Sequence, residues 1–572
     1  MRTWPLLVLL AALPYGCTSP TEAVHGPGGV YGGVFNFNET QVVRSLFPLS
    51  INLVSEQHIA SQIYEGLVRL DPQSLAVEPA LAQSWALDSS RTAYTFRLRE
   101  DVRFHDDAAF PDGKGRALTA ADVVHCLTSI CEAGAGDAAF HLLQGKVKGA
   151  DAYHASGRQG GEVEGIRALD AHTVLVTLVR PFPGFLQSLA VAGCWIWPRE
   201  LQAAYGNDLL RHAIGTGPFR LKAAQPEEAF VLERNPSYWE RDSEGRQLPY
   251  LDAVRITLVP EKDKEVAAFQ KGRLSLVTEL SLQSIGVLAD SIDAHTGERR
   301  FNVLGVPSLA VQFYGFNLSK PPFNDVRVRR AFALALDKDK LVDSVLHGLA
   351  VPAEHGLVAP GLSGYPYGQV PGIPFRPDSA RKLLAAAGYP GGKGFPRVSL
   401  QVDDHGFGYR SVASMAQEML GRELGVAITV STVATKTYYD RVERGEALFW
   451  REGWVADLPD PENFLALLYG KNAEPDTGKA STFNTTRYAD PRFDSLYALA
   501  LTRDKVAERM EDLAKAERIA MHDVPVIPLY HERYIMLCAP NVEGLSINPM
   551  ELLDLRRVRL SAAHSRRPAT TS

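Results

Sequence analysis

The segment that decides the fold class reads RVSLQV (397–402), YRSVASMAQEMLGRELG (409–425) and VAITVSTV (426–433). The outer parts are short and rich in β-branched residues, which is typical of strands. The middle part carries an apolar stripe at helical spacing, formed by Val412, Met415, Ala416, Met419 and Leu420. This stripe, methionines included, is expected to pack in a core. The segment therefore predicts a strand–helix–strand unit.

A second unit of the same kind lies earlier in the chain. VRITLVP (254–260) alternates like a strand, and RLSLVTEL (273–280) is a further strand candidate. Between them, KDKEVAAFQKG (262–272) spaces Val266 and Phe269 as a helix does and ends at Gly272. Together these stretches predict another strand–helix–strand unit.

The remaining elements follow the same pattern. RPDSARKLLAAAGYP (376–390) predicts a helix with Asp378 as its N-cap and Gly388 as its stop. YTFRLRE (94–100) and HTVLVTLVR (172–180) predict strands on either side of a helix near 118–131. Elements of the α/β class dominate, and more than one sheet is expected.

Composition bounds the class of protein. The chain has 572 residues, a formal net charge of −6 and no long run of like charges. Its length favours two to four domains. Without a basic patch, nucleic acid is not expected to be the main partner.

The N-terminus, MRTWPLLVLLAALPYGC (1–17), has the pattern of an export signal, in which Arg2 precedes a short apolar run. Gly16-Cys17 at its end is similar to a lipoprotein signal, in which Cys17 is acylated after cleavage. Plain cleavage further on, for example after Ala23, is the alternative. Residues 1–17 are therefore predicted to be a signal peptide, 18–29 a tether, and 561–572 a disordered tail. We expect a protein outside the cytoplasm whose one membrane attachment is a lipid anchor.

Motifs for catalysis or metal binding are missing from the sequence. It contains no phosphate loop and no HExxH, and Ser363 is not in a nucleophile elbow. The run that contains His105, Asp106, Asp107 and Asp112 is predicted to be a solvated acidic loop. The pairing of Cys126, Cys131, Cys194 and Cys538 is left open, and their spacing does not suggest zinc. No cofactor, metal site or catalytic residue is predicted.

One carboxylate stands in an unusual setting. In FWREGWVADLPDPENFLALLYG (449–470), Asp457 directly follows a run of aromatic and apolar residues. Asp460-Pro461 downstream is the expected start of a helix, with Asp460 as N-cap. Asp457 itself either caps a turn or faces a cation.

Seven short motifs in order resemble the family 5 extracellular solute-binding proteins, the dipeptide and oligopeptide receptors of bacterial ABC importers. The motifs are PALAQSWALDSSRTAYTFRLREDVRFHDD (79–107), LTAADVVHCL (118–127), GTGPFRL (215–221), NPSYW (235–239), PPFNDVRVRRAFALALDKDKLVD (321–343), ARKLLAAAGYPGG (380–392) and GWVADLPDPENF (453–464). The chain departs from the family by an insertion at 107–117 and by Ser275, where relatives often carry Asp.

The resemblance implies a periplasmic-binding-protein-like fold, with two lobes built from three domains whose mixed sheets surround a cleft. Domain I would comprise 30–72, 196–305 and 528–560, domain II 73–195, and domain III 306–527. Such a receptor binds its ligand between the lobes and delivers it to permease subunits in the inner membrane. A monomer is expected.

The resemblance also implies a site for a peptide ligand. Asp457 would take the α-ammonium group, while backbone groups of Gly453 and Val455 would pair with the peptide main chain. Trp454 would form an apolar wall, and Arg451 would meet the peptide carboxylate. The alternatives are a turn cap for Asp457, plain core packing for Trp454 and an ion pair for Arg451.

The cargo stays open at this stage. Nickel, haem, glutathione or an oligosaccharide are alternatives to a peptide, because relatives of this kind carry them. An exported hydrolase or a signalling receptor that uses the same cleft is a function of a different class.

Overall fold

The computed structural model describes residues 30–561 except 52, 135–136, 207, 281–283, 293–296, 298, 404–407, 477–478 and 504. The predicted signal peptide with Cys17, the tether and residues 562–572 of the tail lie outside this part. Within it, no helix has the length and apolarity that crossing a bilayer requires.

The strands are β1 (Val34–Asn38), β2 (Val68–Leu70), β3 (Val77–Pro79), β4 (Ala82–Leu87), β5 (Ala93–Leu98), β6 (Ile166–Asp170), β7 (Thr173–Thr177), β8 (Phe219–Gln225), β9 (Ala229–Arg234), β10 (Ala253–Thr257), β11 (Leu276–Val277), β12 (Asn302–Pro307), β13 (Ala310–Phe316), β14 (Ala350–Pro352), β15 (Val398–Asp403), β16 (Ile428–Val433), β17 (Phe449–Val455), β18 (Val526–Cys538), β19 (Val542–Glu543) and β20 (Arg559–Leu560).

The α-helices are α1 (Val54–Ala60), α2 (Ala120–Ile130), α3 (Asp137–Phe140), α4 (Ala150–Ala155), α5 (Phe185–Ser188), α6 (Arg199–Tyr205), α7 (Lys262–Gln270), α8 (Val326–Leu334), α9 (Lys338–Leu341), α10 (Pro377–Ala386), α11 (Tyr409–Leu424), α12 (Thr435–Glu443), α13 (Pro461–Leu465), α14 (Pro491–Ala500) and α15 (Val506–Asp523).

Three larger sheets organise the described residues. The first has the order β1-β10-β9-β8, and the second β4-β5-β7-β6. The third follows β11-β18-β13-β17-β15-β16, with β12 and β14 also paired to β18. Parallel pairs occur at β1·β10, β15·β16 and β15·β17, while the other pairs of these sheets are antiparallel. The mixed α/β class expected from the sequence is confirmed.

The decisive strand–helix–strand unit is confirmed as β15-α11-β16. Its two strands pair in parallel from Val398↔Ile428 to Asp403↔Val433. The helix buries Val412, Ala416, Met419 and Leu420, while Met415 is partly buried against the same core. The 3.6-residue period located this face correctly because one side of the helix is buried and the opposite side is exposed.

The strands and the helix of the second predicted unit form as β10, α7 and β11, but the two strands lie in different sheets. β10 belongs to the first sheet, whereas β11 pairs antiparallel with the end of β18 in the third. β11 has two residues, and the chain beside it is fixed to β1, since the Asn36 N–H donates to Ser275 Oγ over 3.2 Å. Sequence periodicity reports local conformation and does not identify the partner strand.

One helix start was predicted wrongly. α10 begins at Pro377 with Arg376 as its N-cap, and Asp378 lies in its first turn, paired with Arg381. Proline at the first helical position moves the start two residues upstream, because its fixed φ already suits the helix. The stop at Gly388 is confirmed by its φ of +98°, and Asp460 caps α13 as predicted.

The apolar core consists of several clusters of buried residues. One cluster of buried residues joins the first and second sheets, while two further clusters cover opposite faces of the third. The domain boundaries stay a prediction.

The acidic loop prediction was wrong for His105. This side chain is buried, with Nε2 2.9 Å from the Gly217 carbonyl oxygen, and burial lowers its pKa to about 4. Asp106 and Asp112 are exposed as expected, and Asp106 pairs with Lys114 at 2.8 Å. The four cysteines of the described part are buried and their thiols are free.

Candidate ligand-binding site

β17 is paired on both sides at its beginning and on one side at its end. It runs antiparallel to β13 over its whole length, from Phe449↔Phe316 to Val455↔Ala310. On its other side, β15 pairs only with Phe449 and Trp450. From Arg451 onward, no strand of the described residues covers this edge.

The backbone groups that face the free edge follow from the register. The Ala456 N–H donates to the Leu309 carbonyl oxygen over 2.8 Å, so Ala456 faces β13. Backbone direction alternates along an antiparallel strand, so Trp454 and Glu452 also face β13. Gly453 and Val455 then point their N–H and C=O groups away from β13.

Arg451 lies inside the protein. Its guanidinium donates to Asp403 Oδ2 over 2.8 Å and to Gln312 Oε1. It also stacks on the Tyr409 ring, with Cζ 3.2 Å from the ring centroid. The structure thus places Arg451 in a buried ion pair, while a contact with a ligand carboxylate remains a prediction.

Gly453 provides the space for a neighbouring side chain. A Cβ atom at this position would overlap the Gln312 amide, whose Oε1 accepts from Arg451 and whose Nε2 donates to Glu532 over 2.9 Å. Gln312 therefore bridges the cation and the carboxylate across the face of the sheet. Gly453 is required here by this close approach.

Trp454 is half-buried, and its indole N–H donates to Asn463 Oδ1 over 2.9 Å. The same oxygen accepts from the Asp457 backbone N–H over 3.1 Å. Asn463 lies on α13, whose N-cap Asp460 forms a buried pair with Arg509 at 2.7 Å. Sequence reasoning missed Asn463, although its place one turn after the Asp-Pro start was a usable signal.

Asp457 is exposed and forms no ion pair within 4.0 Å in the part of the chain that is described. The charge of Asp457 nevertheless affects the pKa of one cationic side chain, Lys146. Burial lowers the pKa of Lys146, while Glu462, Cys194 and Asp457 raise it. The Lys146 ammonium donates to the His141 and Leu142 carbonyl oxygens at 2.9 and 3.1 Å. Lys146 stands about three hundred residues earlier in the sequence, so no local pattern could have found it.

No group of three or more His, Cys, Asp or Glu side chains in the described ranges is arranged to hold a metal ion.

Comparison with known proteins places the whole arrangement in one family. The family model described as bacterial extracellular solute-binding proteins, family 5 Middle, matches residues 76–476. The periplasmic oligopeptide-binding protein OppA of Escherichia coli K12 is 28% identical over 517 residues, which cover 89% of this chain and 88% of OppA. The probable deoxycholate-binding periplasmic protein YgiS of the same strain is 27% identical, with 98% of each chain covered.

Solved structures share the fold. The unliganded open form of the periplasmic murein tripeptide-binding protein MppA superposes with a TM-score of 0.78 at 23% identity, covering 95% of this chain and 100% of that one. The binding protein DppA of Helicobacter pylori in complex with the peptide STSA gives a TM-score of 0.69 at 24% identity, covering 93% and 99%. The periplasmic-binding-protein-like fold expected from the sequence is confirmed.

Replacing Gly453 by alanine should break the Gln312 bridge. The new Cβ displaces the Gln312 amide from Arg451 and Glu532, and losing hydrogen bonds to buried charged groups costs about 1–3 kcal/mol. The free energy of unfolding, measured in urea, should fall by that amount. Gly305→Ala on β12 is the control, because its Cβ would meet no atom closer than Ile535 Cγ1 at 3.7 Å.

The same substitution in a Gln312→Ala background isolates the cause. With the amide gone, Gly453→Ala should add little further loss. Equal losses in both backgrounds would show that Gln312 is not what excludes a side chain from position 453.

Proposed function

Because the chain belongs to the family 5 extracellular solute-binding proteins of bacteria, we propose that it is the receptor of an ABC importer for peptides. In this role it binds a peptide outside the cytoplasm as a monomer and hands it to the permease subunits in the inner membrane. It is a binding protein and not an enzyme. The names of OppA and MppA support the peptide as cargo, although YgiS is named for deoxycholate.

One observation carries the peptide proposal, namely the free edge of β17. An extended peptide can add to such an edge as a further strand, since the outward N–H and C=O groups of Gly453 and Val455 supply main-chain hydrogen bonds. Cargo without a peptide backbone has no use for this pairing. The exposed position of Val455, 68% of whose surface is accessible, leaves room for the added strand.

Asp457 follows the free edge directly and is proposed to bind the α-ammonium group. Its carboxylate has no ion-pair partner within 4.0 Å among the described residues. When a ligand covers it, water is excluded, and a lone carboxylate in that setting needs a positive partner. The neighbouring ammonium of Lys146 repels the incoming cation and so weakens this attraction.

Arg451 is a weaker candidate than Asp457 for a contact with the ligand. Its guanidinium is occupied by Asp403 and Gln312. A ligand carboxylate would have to replace Asp403, and breaking a buried ion pair costs about 3–5 kcal/mol. We propose that Arg451 meets the carboxylate only by such an exchange, and that Trp454 forms the apolar wall beside the peptide.

Acetylation of the peptide amino terminus should abolish tight binding. Leaving one partner of an enclosed ion pair alone costs about 3–5 kcal/mol, which is roughly a hundred- to a thousandfold in affinity. Asp457→Asn should weaken binding of the free peptide by a similar factor and make the protein indifferent to acetylation. Isothermal titration calorimetry of one peptide in both forms against both proteins measures this.

Asp101→Asn is the matched control, because Asp101 is also exposed and lies far along the chain. It should leave both affinities unchanged. If acetylation costs the unaltered protein less than about tenfold, Asp457 does not bind an ammonium group. A double-mutant cycle with Lys146→Met in urea denaturation then decides whether Asp457 serves that lysine instead.

The proposed location is the periplasm, with a lipid anchor at Cys17. Cys17→Ser should prevent acylation, so the protein is released into the soluble fraction or retained as an uncleaved precursor. Membrane fractionation and intact mass of the expressed protein provide the readout. A Cys17→Ser protein that remains in the membrane at the mature mass would favour plain cleavage after Ala23 and another mode of attachment.

A further inference from the structure

A cavity of about 300 Å³ lies beside β18 and is lined by three carboxylates, Glu279, Glu532 and Glu551. None of them lies within 4.0 Å of a Lys or Arg nitrogen among the described residues. Arg533 also borders the cavity, but its side chain is exposed and forms no such pair in that part of the chain. The cavity is therefore lined by three carboxylates and one cation, and none of the three carboxylates is in an ion pair in the described part of the chain.

The pKa of Glu551 shows the effect of these neighbouring carboxylates. The pKa of Glu551 is raised to about 7, first by burial and then by the charges of Glu279 and Glu532, against a lowering effect of His58. His58 is itself held by Glu39 at 2.8 Å, so its charge is shared with another carboxylate. Glu279 and Glu551 both have a positive φ, 48° and 58°, a strained conformation for these residues.

A neutral side chain points to a ligand independently of the acids. Tyr534 is 2% exposed and lines the same cavity, yet its hydroxyl group has no hydrogen-bond partner among the described residues. Burial raises the pKa of Tyr534, and the charges of Glu551, Glu39 and Glu279 raise it further. Buried hydroxyl groups are normally paired, so this one is positioned to bond with an atom that enters the cavity.

The cavity is connected to the proposed peptide site through Gln312. This side chain donates to Glu532 over 2.9 Å and accepts from Arg451. In register, Gln312 lies opposite Gly453 on one side and Tyr530 of the cavity wall on the other. Two strand spacings separate those positions, about 10 Å, so one ligand can reach both places.

We propose that this cavity binds a positively charged side chain of the ligand, of the arginine or lysine type. The proposal rests on the peptide-binding function inferred above and names the class of peptide that the site takes. The volume is at the lower end for ligand pockets, which suits a single side chain. A guanidinium group offers five N–H donors in a plane and can meet Glu279, Glu551 and the Tyr534 hydroxyl together.

The test uses penta-alanine peptides in which arginine or citrulline occupies each position in turn. Citrulline has nearly the same shape as arginine and no charge. At one position, arginine should bind about ten- to a hundredfold more tightly than citrulline, because charge-assisted hydrogen bonds are formed only by the cation. The Glu279→Gln/Glu551→Gln double variant should lose this preference and keep its affinity for the citrulline peptide.

Glu227→Gln, an exposed glutamate outside the cavity, should keep the preference and serves as the control. If peptides bind but arginine and citrulline are equivalent at every position, this proposal is wrong while the peptide function stands. Preference for arginine that survives in the double variant would also overturn it, since the cation would then bind elsewhere.

A second experiment tests the cavity with small compounds and does not depend on whether the protein binds peptides. N-butylguanidinium should raise the unfolding temperature of the unaltered protein saturably, whereas its neutral counterpart N-butylurea should not. The double variant should respond to neither compound. Equal responses to both compounds would refute the acidic cavity as a cation site, even for a protein whose cargo is not a peptide.

Discussion

β17 is the strand on which the arrangement of the site depends, because it is half inside the sheet and half at an edge. At Phe449 and Trp450 it is held from both sides, by β13 and β15. Beyond them only β13 pairs with it among the described strands, the Arg451 carbonyl oxygen accepts from the Tyr438 hydroxyl, and the backbone groups of Gly453 and Val455 face away from β13. A buried, doubly paired start fixes the position of the edge, while the singly paired end leaves it accessible. An open strand edge invites unwanted pairing with other chains, so a strand edge that stays open favours a functional use for it.

The charged groups of Arg451 and Asp403 beside this strand form hydrogen bonds with other side chains. Arg451, Asp403 and Gln312 form one buried group, and Gln312 extends it to Glu532. Such groups contribute little net stability, but they fix geometry when every partner is present. The proposed ligand contacts differ from this group, because Asp457 and the acidic cavity have no cation within ion-pair distance among the described residues. We propose that the buried group of Arg451, Asp403 and Gln312 orients the site. The unpaired carboxylates of Asp457 and the cavity are then available to a cationic ligand.

Much of the fold could be predicted from the sequence because the signals are local. The α11 stripe, the stop at Gly388 and the cap at Asp460 all depend on neighbours within one helical turn. The pairing of β11 with β18 could not be predicted, since it joins positions some 260 residues apart and β11 has only two residues. The start of α10 differs from the prediction because Pro377 takes the first helical position, so the aspartate after it lies within the first turn.

The site shows the same division. Gly453, Val455 and Asp457 came from one short motif through its family resemblance, and the register shows the first two facing the free edge. Lys146 and Gln312 came only from the folded structure, because each acts on the motif from a distant element. The free edge itself is a property of strand pairing, which no local pattern in FWREGWV contains.

Hydrogen exchange at the free edge tests the central claim most directly. Amide exchange in the segment covering Gly453 and Val455 should be measured by mass spectrometry with and without a peptide whose binding is established by calorimetry. If the peptide adds as a strand, its carbonyl groups accept from both amides, and exchange in this segment should slow by at least about tenfold. Unchanged exchange in the saturated complex would contradict strand addition and require a ligand site elsewhere on the protein.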